Sequence, residues 1–191
     1  MLRAHTAGHR PYVGNWDLMW KTLRQAYEHP DTYDQSWWWH TKEASSCGTT
    51  RCIAGWAAYF GGYHEPNMAN ATDAGLLTEY FGFQPESTHQ YDHVMISPTG
   101  AVVNADVAAL WALDAVNCDD VVEMFASYMS FGSILRRAEE LAEADGVETP
   151  DWLEDALDAH PTQSGSPDYY DDDDDSDELD PSVIPYETLE G

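Results

Sequence analysis

The residues of this chain best suited to chemistry are two thiols, a small set of imidazoles and many carboxylates. Cys47 and Cys52 stand in the run CGTTRCIAGWAAYF. Thr49 or Thr50 is expected to cap a helix there, which places Cys47 near the N-terminus, where the dipole lowers a thiol pKa. Three readings fit the pair. Free cysteine is among the most buried residue types, so two packed thiols under aromatic side chains is the favoured one. A metal site built from Cys47, Cys52 and His40 is the second. Its C-x4-C spacing is loose, and no second close His or Cys pair supplies a fourth ligand. A reactive or redox thiol is the third.

His89 and His93 are four apart and would share one face of a helix, within reach of Asp92 or Glu86 for a metal; His64, beside Glu65, is a further imidazole. Pro85 and Ser87-Thr88 instead mark that stretch as a loop. No P-loop, G-x-G-x-x-G, H-E-x-x-H or G-x-S-x-G pattern occurs, and no carboxylate pair stands out for glycoside chemistry. Arg136-Arg137 is the only basic doublet, and Glu139, Glu140 and Glu143 lie at helical spacing to neutralise it. The sequence therefore assigns no catalytic residue, no cofactor and no metal, and the expectation is a protein that is not an enzyme.

The elements that carry these residues read as one domain of ordinary size followed by a tail. The chain has 191 residues, of which 43% are hydrophobic, enough for a true core. No run approaches the roughly 20 apolar residues of a membrane span. The N-terminal stretch MLRAHTAGHRPY lacks the apolar segment of a secretory signal, and three cysteines do not make a disulfide framework. A cytoplasmic location is expected.

Charge is the outlying property: 35 acidic residues face 8 basic ones, a net of −27. The last basic residue is Arg137. Residues 1–137 hold 15 acids and 8 bases, whereas residues 138–191 hold 20 acids and no base. Phosphate repulsion argues against direct binding to nucleic acid or to an anionic membrane and in favour of a basic protein partner. A salt-adapted or high-GC background composition would produce similar acidity with no partner at all.

Hydrophobic spacing predicts helices over Trp16–Glu28, Thr50–Phe60, Thr72–Phe81, Asp106–Val116, Asp120–Ser130 and Ile134–Ala144, with a last short one from Thr149-Pro150 to Ala159. Tyr33–Trp39 alternates like a short strand, and Val94–Val103 reads as a hairpin around Pro98-Thr99-Gly100. Trp37, Trp38 and Trp39 cannot all point one way in an extended chain, so at least one must pack elsewhere or be exposed. Five consecutive aspartates make residues 161–191 an acidic disordered tail. The expected fold is thus mainly α: a compact bundle of about six short helices with a small hairpin, over residues 1–160.

From Trp39 through CGTTRCIAGWA the chain resembles a family of small, uncharacterised bacterial and bacteriophage proteins. They share a Trp followed by C-G-T-x-x-C-I-x-G-W-A. Cys47, Gly48, Thr49, Cys52, Ile53, Gly55, Trp56 and Ala57 match, and a weaker likeness extends over DAGLLTEYFGF and AALWALDAVNCDDVVEMFA. The WWWH run and the acidic tail depart from that pattern. The resemblance implies a small helical domain often found in phage genomes, and it implies no activity.

Taken together, the sequence points to a non-enzymatic phage or bacterial accessory protein that touches a protein partner, with its oligomeric state left open. The expected contact residues are Trp37, Trp38 and Trp39, then the tail residues Tyr169, Tyr170, Asp171, Asp172, Asp173, Asp174, Asp175, Val183, Ile184 and Tyr186. Tail peptides of this kind fold on binding or add to a sheet edge. A second reading makes carboxylates from Glu139, Glu140, Glu143 and Asp145 through Glu148, Asp151, Glu154, Asp155 and Asp158 a phosphate-like decoy for a basic DNA-binding protein. A third is the small Cys/His metalloprotein or redox enzyme.

Overall fold

A computed structural model describes residues 11–41, 49–115 and 118–161. Seven α-helices and two two-stranded antiparallel sheets lie among them. The mainly α architecture with a small hairpin is as the sequence predicts. Residues 42–48 and 162–191 lie outside the described residues, so the expected tail is not part of the description.

Helix α1 (Trp16–Glu28) begins where Asn15 Oδ1 accepts the Leu18 N–H at 3.2 Å. Its buried stripe is wider than the spacing predicts, because Leu18, Thr22 and Ala26 join Trp16, Met19 and Leu23. The predicted strand over Tyr33–Trp39 is replaced by a turn. Asp34 Oδ1 accepts the Ser36 N–H at 3.0 Å, and this side-chain hydrogen bond bends the chain before extension can start. Strand β1 is Trp39–Thr41, and it pairs with β2 (Thr49–Arg51) in the register His40 opposite Thr50.

Thr49 and Thr50 therefore belong to a strand and do not cap the next helix. Helix α2 (Ile53–Phe60) is capped by Cys52, whose Sγ accepts the Gly55 N–H at 3.4 Å. Helix α3 (Ala71–Phe81) starts at Asn70 and stops at Gly82, whose φ of 75° suits a residue without Cβ. Strands β3 (Val94–Ile96) and β4 (Val102–Asn104) form the expected hairpin.

Helix α4 (Ala105–Ala112) ends sooner than predicted: Asp114 has φ 50°, and Ala115 bridges back to Val13. Helix α5 (Cys118–Glu123) is likewise short, since the chain turns through Met124–Ala126 instead of continuing to Ser130. Helix α6 (Phe131–Asp145) starts three residues earlier than predicted and is capped by Ser130, with Ser130 Oγ accepting the Ser133 N–H at 3.1 Å. Helix α7 (Trp152–Ala159) completes the described chain.

Two clusters hold these elements. The larger joins α1, α2, α5, α6 and α7 through Met19, Leu23, Ile53, Met124, Ile134, Leu135 and Leu153. The smaller packs Trp39, Leu77, Tyr91, Val94 and Met95 against Ala58, Ala105 and Ala108. Helices α2 and α4 approach closely because alanines face each other; a Cβ on Gly61 would sit 2.4 Å from that of Ala112. Of the other small residues of α2, Ala54 and Ala58 are fully buried, while Gly55 faces Trp38 of the preceding turn. A chain of rings seats α7: Trp16 stacks on Trp20 at 5.0 Å, Trp20 meets Trp152 edge-on, and Trp152 stacks on Tyr27 at 6.0 Å. No helix of the described residues is long and apolar enough to cross a membrane.

Candidate functional site

The sequence motif proves to be a joint that pins the 33–38 turn to α2. Trp37 O accepts the Cys52 N–H at 2.9 Å, and Asp34 N–H reaches Arg51 O at 3.2 Å. The Cys52 Sγ lies 3.9 Å from Trp38 O. Gly55 must be glycine, since a Cβ there would fall 1.9 Å from that same Trp38 carbonyl oxygen. Trp56 Nε1 donates to Thr32 O at 3.1 Å. Arg51 is only 6% exposed; its guanidinium lies over the rings of Trp56 at 4.5 Å and Tyr59 at 4.2 Å, and it pairs with Glu65. Cys47 and Gly48 lie outside the described residues, and of Thr49 and His40 only the strand positions are described.

Burial sets the character of the one described thiol. Cys52 is 2% exposed, and its pKa is pushed up to about 11 chiefly by desolvation, against the opposing pull of the Gly55 N–H. A thiol held protonated at neutral pH is a poor nucleophile. Native protein at pH 7.5 is therefore expected to leave Cys52 unmodified by iodoacetamide, read by peptide mass mapping, until denaturant is added. The folded pKa lies above the ordinary 9, so its contribution is intact below pH 9 and is lost as pH climbs towards 11. Tyr33 is shifted upward in the same way, by burial first and then by Cys52 and Asp34.

The three tryptophans take three different places. Trp39 is 5% exposed and donates through Nε1 to Val94 O at 3.3 Å, so its ring is a core member. Trp37 is half-buried, 5.8 Å from the ring of His89. Trp38 is half-buried and packs against both clusters. It also lines an open cleft of about 420 Å³ with Gln35, Ser36, Cys52, Asp106, Val122, Phe125, Ala126 and Ser127. Gln35 ties the two walls together: its Nε2 donates to Met124 O and Ala126 O, and its Oε1 accepts from Ile53 N–H and Tyr33 Oη–H. The most exposed aromatic rings of the described residues are Tyr128 at 70% and Trp111 at 62%.

A second surface lies along α6 and α7. Arg136, Glu139, Thr149, Pro150, Asp151, Leu153, Glu154, Leu157 and Asp158 line a groove of about 440 Å³. Both arginines are neutralised, Arg136 by Glu139 at 2.6 Å and Arg137 by Glu140 at 3.1 Å and by Asp120. Asp145 departs from the expected acidic face. Its carboxylate turns inward to accept Tyr12 N–H at 2.8 Å, Val13 N–H at 3.2 Å and Trp16 Nε1–H at 3.0 Å.

The imidazoles do not assemble. His89 and His93 flank Asp92 at 3.6 and 3.7 Å in a run of turns, and His64 instead approaches Asp73 at 3.7 Å. Among the described residues no three His, Cys, Asp or Glu side chains converge as metal ligands would. The tail residues Tyr169 to Asp175, Val183, Ile184 and Tyr186 lie outside the described residues. Comparison with protein-family models, curated proteins and solved structures yields no match.

Proposed function

We propose that the chain is a non-enzymatic accessory protein, bacterial or phage in setting and cytoplasmic, that docks a basic segment of a protein partner on the α6–α7 face. The observation that carries this reading is the charge state of that face. Glu140, Glu143, Glu148, Asp151, Glu154, Asp155 and Asp158 are exposed, while Arg136 and Arg137 already have carboxylate partners. The field there is anionic, which steers a cationic partner and repels nucleic acid. Leu153 and the half-buried Leu157 give the groove an apolar floor. A segment with Lys or Arg on either side of one apolar residue is complementary to it.

The test is capture from a bacterial host on the immobilised full chain, repeated with Glu154→Lys/Asp158→Lys. Both positions are exposed, so the fold tolerates the change. A retained protein is expected to fall by at least about tenfold in the variant, and again when salt is raised from about 0.05 to 0.5 M. Retention unchanged by both would end this reading. Release by added duplex DNA would identify the partner as a DNA-binding protein and make the carboxylates a phosphate mimic.

A further inference from the structure

We propose that the cleft beside Cys52 is the docking site of the chain's own segment Val183-Ile184-Pro185-Tyr186. The cleft is walled by Trp38, Val122 and Phe125, with Asp106 as its single ionisable carboxylate. Val122 remains 39% exposed, a large apolar side chain facing solvent at the rim. Such a surface is suited to aliphatic and aromatic side chains and repels aspartate.

The described chain ends close to that cleft. Gly132 is packed so tightly that a Cβ would meet His160 O at 2.1 Å, which fixes Pro161 at the start of α6. From there His160 meets Phe131 at 5.1 Å, and Phe131 meets Tyr33 at 5.2 Å. The Tyr33 hydroxyl touches Gln35 of the cleft wall at 3.1 Å. Three consecutive contacts thus lead from the exit to the site.

Residues 162–182 separate the exit from Val183. A random coil of that length spans about 25 Å root-mean-square, and more when charges along it repel. It therefore reaches the cleft and holds the segment at an effective concentration of about a millimolar. Its own acids and those of Glu154, Asp155 and Asp158 keep it off the α6–α7 face. Chemistry selects the segment. Tyr169-Tyr170 is bracketed by Asp168 and Asp171, and Leu179 by Glu178 and Asp180, whereas Val183–Tyr186 runs four residues without a charge. Pro185 stiffens it, and an aromatic-walled groove receives extended Pro-containing segments well. The Tyr186 hydroxyl can donate to the Asp106 carboxylate.

Hydrogen exchange on the full chain tests this. Amides of residues 33–38 and 121–128 are expected to exchange about tenfold more slowly in the natural sequence than in Ile184→Asp/Tyr186→Ala. The rim variant Val122→Asp should reproduce that loss of protection with the tail intact, and dilution should leave the natural chain's protection unchanged. Equal exchange in all three chains would overturn the proposal. Protection that fades on dilution would overturn it too, because the occupant would then be the tail of a second copy.

Discussion

Gly55→Ala is expected to destabilise the fold by about 3 kcal/mol or more, at the upper end of what overpacking costs. The new methyl would lie 1.9 Å from Trp38 O and 3.1 Å from the Arg51 Cβ. One obstacle is backbone, so no side-chain rotation relieves the collision; the 33–38 turn must lift off α2. That in turn breaks the Cys52 N–H bond to Trp37 O and opens the Trp38 wall of the cleft. Gly75→Ala is the matched control. It lies inside α3, nothing stands within 4 Å of its Cβ, and alanine there should stabilise by about 0.5–1 kcal/mol. Urea midpoints of the two variants should move in opposite directions. A Gly55→Ala chain as stable as the natural one would show that the turn does not rest on α2.

Glu65→Ala is expected to be comparably severe, about 3–5 kcal/mol, because it leaves a buried guanidinium without its carboxylate. Arg51 has little access to water: its side chain is 7% exposed, covered by Trp56 and Tyr59. Removing the cation as well should recover much of the loss. Arg51→Met keeps the stack on the two rings, so the double variant Arg51→Met/Glu65→Ala should unfold at higher urea than Glu65→Ala alone. A double variant less stable than the single one would mean that Arg51 contributes through its other contacts and the pair is incidental.

The features that sequence exposes here are those decided within a few residues. Asn15 before Trp16, Gly82 after Phe81 and Gly146 after Asp145 are local start and stop signals, and each bounds its helix. The hairpin is legible for the same reason, since Pro98-Thr99-Gly100 imposes a turn on its own. Thr49 and Thr50 mislead because hydroxyls are strong caps, yet strand pairing with His40 and Thr41 claims their backbone and leaves the weaker Cys52 sulfur to do the capping. Tyr33–Trp39 misleads because its alternation suits a strand, whereas the Ser36 N–H donating to Asp34 Oδ1 turns the chain within two residues. Of the candidate surfaces, the acidic stretch is plain in composition, but the inward turn of Asp145 is not. The cleft is illegible for a different reason: Gln35 joins Met124 across 89 residues, and no local pattern encodes that meeting.

The inward carboxylate of Asp145 also has a consequence for biogenesis. Its acceptor oxygens close a loop to Tyr12, 133 residues earlier in the chain. At synthesis rates of roughly 5–20 residues per second, the opening segment waits on the order of 7–27 s for that acceptor to be made. During this interval the indoles of α1 have no α7 to lean on, and the nascent chain presents them to any chaperone at the ribosome exit.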